Sequence, residues 1–147
     1  MKTFGRKTTQ MSKERLSLRR VLVVEDDPVL GMATEETLHD AGVADVEICA
    51  TTDSALEALK RDPPDAVILD VHLADRDDGW AIAELIETLG AHRPIIVFST
   101  GTPDAIPAQI AELGSVLEKP YTPDALVHAL SQPGRKGLLE RLKKALS

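Results

Sequence analysis

Val21-Leu22-Val23-Val24-Glu25-Asp26-Asp27-Pro28 is a run of four apolar, mostly β-branched residues that stops at three acids and a proline. An apolar run without alternation suits a strand buried on both faces, because a half-exposed strand would place a polar residue at every second position. Pro28 fits the first turn of a helix, where its missing N–H is not needed. That helix can continue to about Asp40 and end at Gly42. The unit then repeats along the chain. Val46–Ala50 reads as a second strand, and Thr52 or Asp53 can cap a helix to about Lys60, closed by Pro63-Pro64. Ala66-Val67-Ile68-Leu69 is a third strand ending at Asp70. After a loop over 71–79, Trp80–Leu89 has apolar residues at helical spacing (Trp80, Ala83, Ile86 or Leu85, Leu89). Ile95-Ile96-Val97-Phe98 is a fourth strand ending at Ser99-Thr100-Gly101. Pro103 and Pro107 interrupt the following helix and leave about Ala108–Leu113. Ser115-Val116-Leu117 is a short fifth strand before Glu118-Lys119-Pro120, and Thr122 or Asp124 opens a helix to about Leu130.

Five strands separated by helical segments are βα units. They predict an α/β fold, a doubly wound five-stranded parallel sheet covered on both faces. The expected organisation is a basic arm over 1–19, one domain over 20–131 and a basic amphipathic tail over 132–147, where Leu138, Leu139, Leu142 and Leu146 share a helix face. The arm is expected to be mobile, with a helical leaning over Ser12–Arg19. A chain of 147 residues, 43% hydrophobic and 28% charged, can bury a core without staples. The lone Cys49 excludes an internal disulfide and reads as a small buried hydrophobe. No apolar run reaches the roughly 18 residues of a membrane span, and the first 20 residues have no apolar signal region. A cytoplasmic protein is expected.

The net charge of −7 is unevenly spread. Residues 1–20 hold seven Lys/Arg against Glu14, and residues 131–147 hold five against Glu140, so the body between them is strongly acidic. Such a body repels nucleic acid and attracts cations. With only Trp80 as a stacking indole, single-strand nucleic-acid binding is disfavoured.

Four strand ends carry side chains suited to phosphoryl chemistry: Glu25-Asp26, Asp70, Ser99 and Lys119. In an open parallel sheet, the carboxyl ends of the strands lie along one edge, where such folds place their sites. Three carboxylates there would repel one another without a cation, and hard oxygen ligands suit Mg²⁺. An Asp carboxylate can accept a phosphoryl group as an acyl phosphate, while a lysine and a hydroxyl neutralise and orient its oxygens. Any single Asp after a strand is most often a turn or cap residue. Five such residues, each placed after an apolar strand, are not explained that way. Asp27 is read apart from them, as a helix N-terminal acid favoured by the helix dipole.

The stretches Val21–Pro28, Val67–Asp70, Pro94–Ser99 and Glu118-Lys119-Pro120-Tyr121 resemble the receiver domain of bacterial two-component response regulators, in its single-domain, chemotaxis-regulator-like form. The resemblance covers about residues 20–131. It implies that Asp70 is the phosphoacceptor, that Asp26 and Asp70 bind Mg²⁺ (or Mn²⁺) directly, that Glu25 acts through water, and that the His72 backbone carbonyl is a further ligand. Ser99 would move toward the phosphoryl group and Lys119 would pair with its oxygens. The implied donor is a phosphohistidine on a sensor histidine kinase or a histidine phosphotransfer protein. The implied output is contact with a downstream protein, or onward relay, by a monomer or weak dimer. The domain would not be an enzyme beyond self-catalysed phosphorylation and slow autodephosphorylation.

Three departures from the family stand out. The loop Val71–Gly79 is one residue longer and lacks the usual proline at Ala74. Val116 stands where the family has a switch aromatic. The 17 residues after Leu130 are expected to form at most a short helix, too little for a helix-turn-helix unit. Tyr121 matches a common Phe position and reads as structural. A pseudo-receiver that binds partners without phosphorylation is the alternative, and an aspartyl-phosphate phosphohydrolase a further one. The hydrolase wants a second Asp two residues after the nucleophile, where this chain has His72. A calcium loop around Asp75–Gly79 fails on its ligand pattern, and His39, His92 and His128 are too scattered for zinc.

Overall fold

The computed structural model describes residues 15–71, 82, 83, 86 and 93–131. Strands β1 (Arg20–Val24), β2 (Asp45–Cys49), β3 (Ala66–Asp70), β4 (Ile95–Thr100) and β5 (Ser115–Glu118) form one parallel sheet in the order β2-β1-β3-β4-β5. The helices are α1 (Pro28–Asp40), α2 (Thr52–Arg61), a short α3 (Ala108–Ala111) and α4 (Pro123–Ser131), with a 3₁₀ turn at Pro103–Ala105. The sheet is the expected doubly wound one. Its strand order reverses between β1 and β3, which opens a crevice at their carboxyl ends.

Alternation within β1 explains its continuous apolar run. Leu22 and Val24 join one core with Val67, Leu69, Phe98, Ala55, Ile82 and Ile86, while Val21 and Val23 join the opposite core with Ile68, Val97, Leu38 and Leu126. Both faces are therefore dry. Cys49 is buried in the first core, as a small hydrophobe would be. Ile82, Ala83 and Ile86 are helical and buried; the remainder of the predicted Trp80–Leu89 helix lies outside the described residues, as do the arm before Arg15 and the tail after Ser131.

Several boundaries moved. Residues 15–19 are not helical; Leu16 is buried, and its N–H donates to the Ala41 carbonyl at 2.9 Å. The second strand starts and ends one residue early, at Asp45 and Cys49. The cap of α2 is Thr51, not Thr52 or Asp53: its hydroxyl accepts from the Ser54 N–H at 3.0 Å, and Ser54 completes a capping box. The chain leaves extended geometry at Thr51, and only that residue can reach back to the third N–H. Asp27 does cap α1, accepting from the N–H groups of Val29 and Leu30 at 2.9 and 3.3 Å. Gly42 takes φ +106° after α1, the left-handed conformation glycine tolerates best. Of the predicted Ala108–Leu113 helix only Ala108–Ala111 is α-helical.

At the opposite edge of the sheet from the strand ends, Arg20 is buried amid acids. Its guanidinium meets the carboxylates of Glu47 at 2.7 Å, Asp45 at 3.3 Å and Asp62 at 3.4 Å, and its Nε donates to the Asp62 backbone carbonyl at 2.9 Å. Replacing Arg20 with Met should cost about 2 kcal/mol, because three acids lose their shared cation but remain open enough to hydrate. Urea denaturation reads this directly; a change below about 0.5 kcal/mol would mean that the cluster contributes little more than an exposed pair.

Candidate functional site

The ends of β1, β3, β4 and β5 converge. Glu25 follows β1 and is buried; its backbone N–H is tied to β2 through the Cys49 carbonyl at 2.9 Å. Asp26 beside it is exposed. Asp70, the last residue of β3, is only 2% exposed and lies directly across from Ser99 on β4, which is equally buried. Lys119 follows β5, and its backbone N–H donates to the Thr100 carbonyl at 2.7 Å. That bond aims the side chain back across the sheet edge, where Nζ lies 3.5 Å from both Asp70 Oδ1 and Glu25 Oε1. Glu25, Asp26, Asp70, Ser99 and Lys119 are thus gathered at one edge of the sheet. The His72 carbonyl lies outside the described residues, as does the loop beyond Val71.

Carboxylate oxygens of Glu25, Asp26 and Asp70 all lie within 4.8 Å of one another. Burial, reinforced by a hydrogen bond shared with Asp70, pushes the Glu25 carboxyl up to about 7. Burial works against the Lys119 ammonium, but the charges of Asp70 and Glu25 outweigh it and hold the group above the ordinary lysine range. One lysine facing three crowded carboxyl groups leaves an excess of negative charge, and two of the three carboxyls are out of water. A divalent cation with oxygen preference is the ion such a donor set fits.

The raised Glu25 value has a consequence for stability. An unfolded glutamate loses its proton near 4.5, while folded Glu25 keeps it to about 7. Over that window the folded chain binds more protons, so stability falls as pH rises through it. Metal-free protein should lose on the order of 1–2 kcal/mol between about pH 5 and about pH 8. Thermal melts in chelator read the effect. A pH slope identical in Glu25→Gln would assign it to other groups.

Sequence reasoning named two neighbours of the set without giving either a role in the site. Thr100, also 2% exposed, carries a second hydroxyl at the end of β4; its Oγ accepts from the Thr102 N–H at 2.9 Å. Tyr121 brings its phenol to the Ser99 hydroxyl at 3.5 Å. Repeated hydroxyls in Ser99-Thr100 were visible, but which of them faces Asp70 depends on strand register. Val116, where the resemblance implies a switch aromatic, is 38% exposed on the edge strand. The sequence also gave no prominence to Val29 and Met32, 74% and 65% exposed on α1 beside the acidic edge. Among the described residues, no helix is long and apolar enough to cross a membrane.

A family model described as the response regulator receiver domain matches residues 21–131. The response regulator MprA of Mycobacterium leprae (strain TN) is 30% identical over 128 residues, covering 84% of this chain and 52% of that protein. The chain therefore spans about half the length of the curated relatives it matches. Among solved structures, a response regulator signal receiver domain from Bermanella marisrubri is 30% identical with a TM-score of 0.61, covering 77% of this chain and 98% of its own. A response regulator receiver protein from Burkholderia phymatum is 25% identical with a TM-score of 0.58, covering 79% and 98%.

Proposed function

The chain belongs to the response regulator receiver family, and from that premise we propose that it accepts a phosphoryl group on Asp70 from a phosphohistidine donor, with Mg²⁺ or Mn²⁺, and signals by protein contact or by passing the group onward. The observation that carries this reading is the Lys119 ammonium 3.5 Å from Asp70 and from Glu25, at the edge where three carboxyl groups crowd together. Asp26 and Asp70 would hold the cation directly and Glu25 through water, with the His72 carbonyl completing the protein ligands. When bound, the cation supplies charge neutralisation between the carboxylates and the incoming phosphoryl oxygens.

In the transfer, an Asp70 carboxylate oxygen forms the new P–O bond. The P–N bond to the donor imidazole breaks, and its electron pair returns to the ring nitrogen. Lys119 pairs with one phosphoryl oxygen, and Ser99 donates its hydroxyl to another. Little covalent chemistry is asked of the protein, so positioning and electrostatics carry the rate. Water later attacks the acyl phosphate and returns Asp70 to a carboxylate. The domain turns over nothing besides its own phosphate and acts in the cytoplasm. Its donor is a sensor histidine kinase or a histidine phosphotransfer protein. Phosphorylation adds about −1.5 to −2 charges at this edge and biases a two-state equilibrium of the β4 and β5 ends.

The test uses acetyl phosphate as a small donor and intact mass as the readout. A phosphate-sized gain in Mg²⁺ that disappears with chelator supports the reading. No gain, under conditions in which another receiver is modified, sinks it.

A further inference from the structure

We propose that Tyr121 is a positioning residue for Ser99, holding its hydroxyl away from Asp70 until a phosphoryl group draws it in, so that the state of Asp70 is transmitted to the groove between α1 and α4. This rests on the phosphoacceptor reading and adds how that site is coupled to a surface.

The case begins with one proton. A serine hydroxyl has a single donor hydrogen. In the structure Ser99 spends it on the Tyr121 hydroxyl oxygen, 3.5 Å away. Ser99 and Asp70 are partners across adjacent parallel strands, so their side chains lie on the same face of the sheet. Ser99 thus stands between two acceptors, the phenol of Tyr121 and whatever oxygens arrive on Asp70. It can donate to only one at a time. A contact of 3.5 Å is long for an O–H···O bond and correspondingly weak. A charged phosphoryl oxygen is a stronger acceptor and would win.

The second observation is where Tyr121 sits. Its ring packs against the core on the α1 and α4 side. It also lines a groove of about 550 Å³ together with Leu30, Ala33 and Thr34 of α1 and with Lys119 and Pro120. Lys119 therefore lies both beside Asp70 and in the groove wall, two residues from Tyr121. When Ser99 turns, Tyr121 loses its hydroxyl partner, and Lys119 is drawn toward the new oxygens. Both changes occur in that wall. The other face of β5 has Val116 instead of an aromatic that could swing inward, and Val116 is already 38% exposed. The hydroxyl pair is the coupling element these residues supply.

The chain has one tyrosine, so protein labelled with 3-fluorotyrosine gives one ¹⁹F resonance from this residue. The probe is beryllofluoride with Mg²⁺, a tetrahedral phosphoryl mimic whose bound fluorides report occupancy in the same spectrum. The tyrosine resonance is expected to move as the site fills and to stay put in Asp70→Asn. Tyr121→Phe keeps the ring and removes the competing acceptor; it should bind beryllofluoride about two- to fourfold tighter. A merely structural phenol would not produce that gain. A filled site with an unmoved tyrosine resonance overturns the proposal, as does unchanged or weaker binding by Tyr121→Phe. Failure of wild type both to bind beryllofluoride and to gain phosphate from acetyl phosphate defeats the phosphoacceptor reading, and this proposal with it. Phosphate gain with either of the other two negative results defeats the proposal alone.

Discussion

Asp70→Asn should abolish the phosphate-sized mass gain from acetyl phosphate while leaving the fold intact. The side chain is only 2% exposed at the end of a central strand. Asparagine fills the same space, so no cavity forms and the strand pairing with Ser99 is retained. The amide oxygen is a poor nucleophile and the nitrogen none, so the P–O bond does not form. The variant also removes one of three crowded carboxylates. Without metal at about pH 8 two effects oppose: Glu25 loses its like-charged neighbour, and the Lys119 ammonium loses the charge of Asp70 3.5 Å away, so the melting temperature should stay near that of wild type. Loss of modification together with an unchanged melting temperature separates a missing acceptor from a damaged fold. A variant that still gains phosphate at the wild-type rate would move the acceptor to another group and remove Asp70 from its role.

The second large effect is structural, at a position with no chemistry of its own. Gly114→Ala should destabilise the domain by about 3 kcal/mol, through a steric collision rather than lost contacts. Gly114 lies between α3 and β5, and a β-carbon there would run into the Ile96 carbonyl oxygen and come within 2.8 Å of the Ile96 Cβ. Ile96 is 2% exposed on β4, whose backbone is paired on both sides by β3 and β5. Neither partner can yield cheaply, so the start of β5 must shift. Lys119 follows the end of that strand, and its ammonium would be carried away from Asp70. Slower phosphorylation should accompany the lower denaturant midpoint. If Gly114→Ala unfolds within about 0.5 kcal/mol of wild type, the close approach between that turn and β4 is not maintained in solution.

Much of the site was legible in the chain because it lies where apolar runs stop. Val21–Val24, Ala66–Leu69 and Ile95–Phe98 are unbroken, and the first polar residue after each is placed at the sheet edge by the strand itself. Asp27 was legible as a helix-starting acid for the same local reason, and it does cap α1. The cap of α2 was misplaced by a residue. Thr51, Thr52 and Asp53 are all competent cap residues, and only the backbone path decides among them.

The linear order of residues determined the βα alternation, the parallel sheet and the set of polar groups at the strand ends. These follow from periodicity and chain punctuation, which depend on near neighbours. Tertiary structure alone decided that Arg20 is buried among three acids, that Glu25 is the carboxyl driven toward neutrality, that Ser99 faces both Asp70 and Tyr121, and that Gly114 has no room for a side chain. Each depends on burial and charge contributed by residues tens of positions away. The free energy of such a contact belongs to the pair and its surroundings, and no local pattern encodes it.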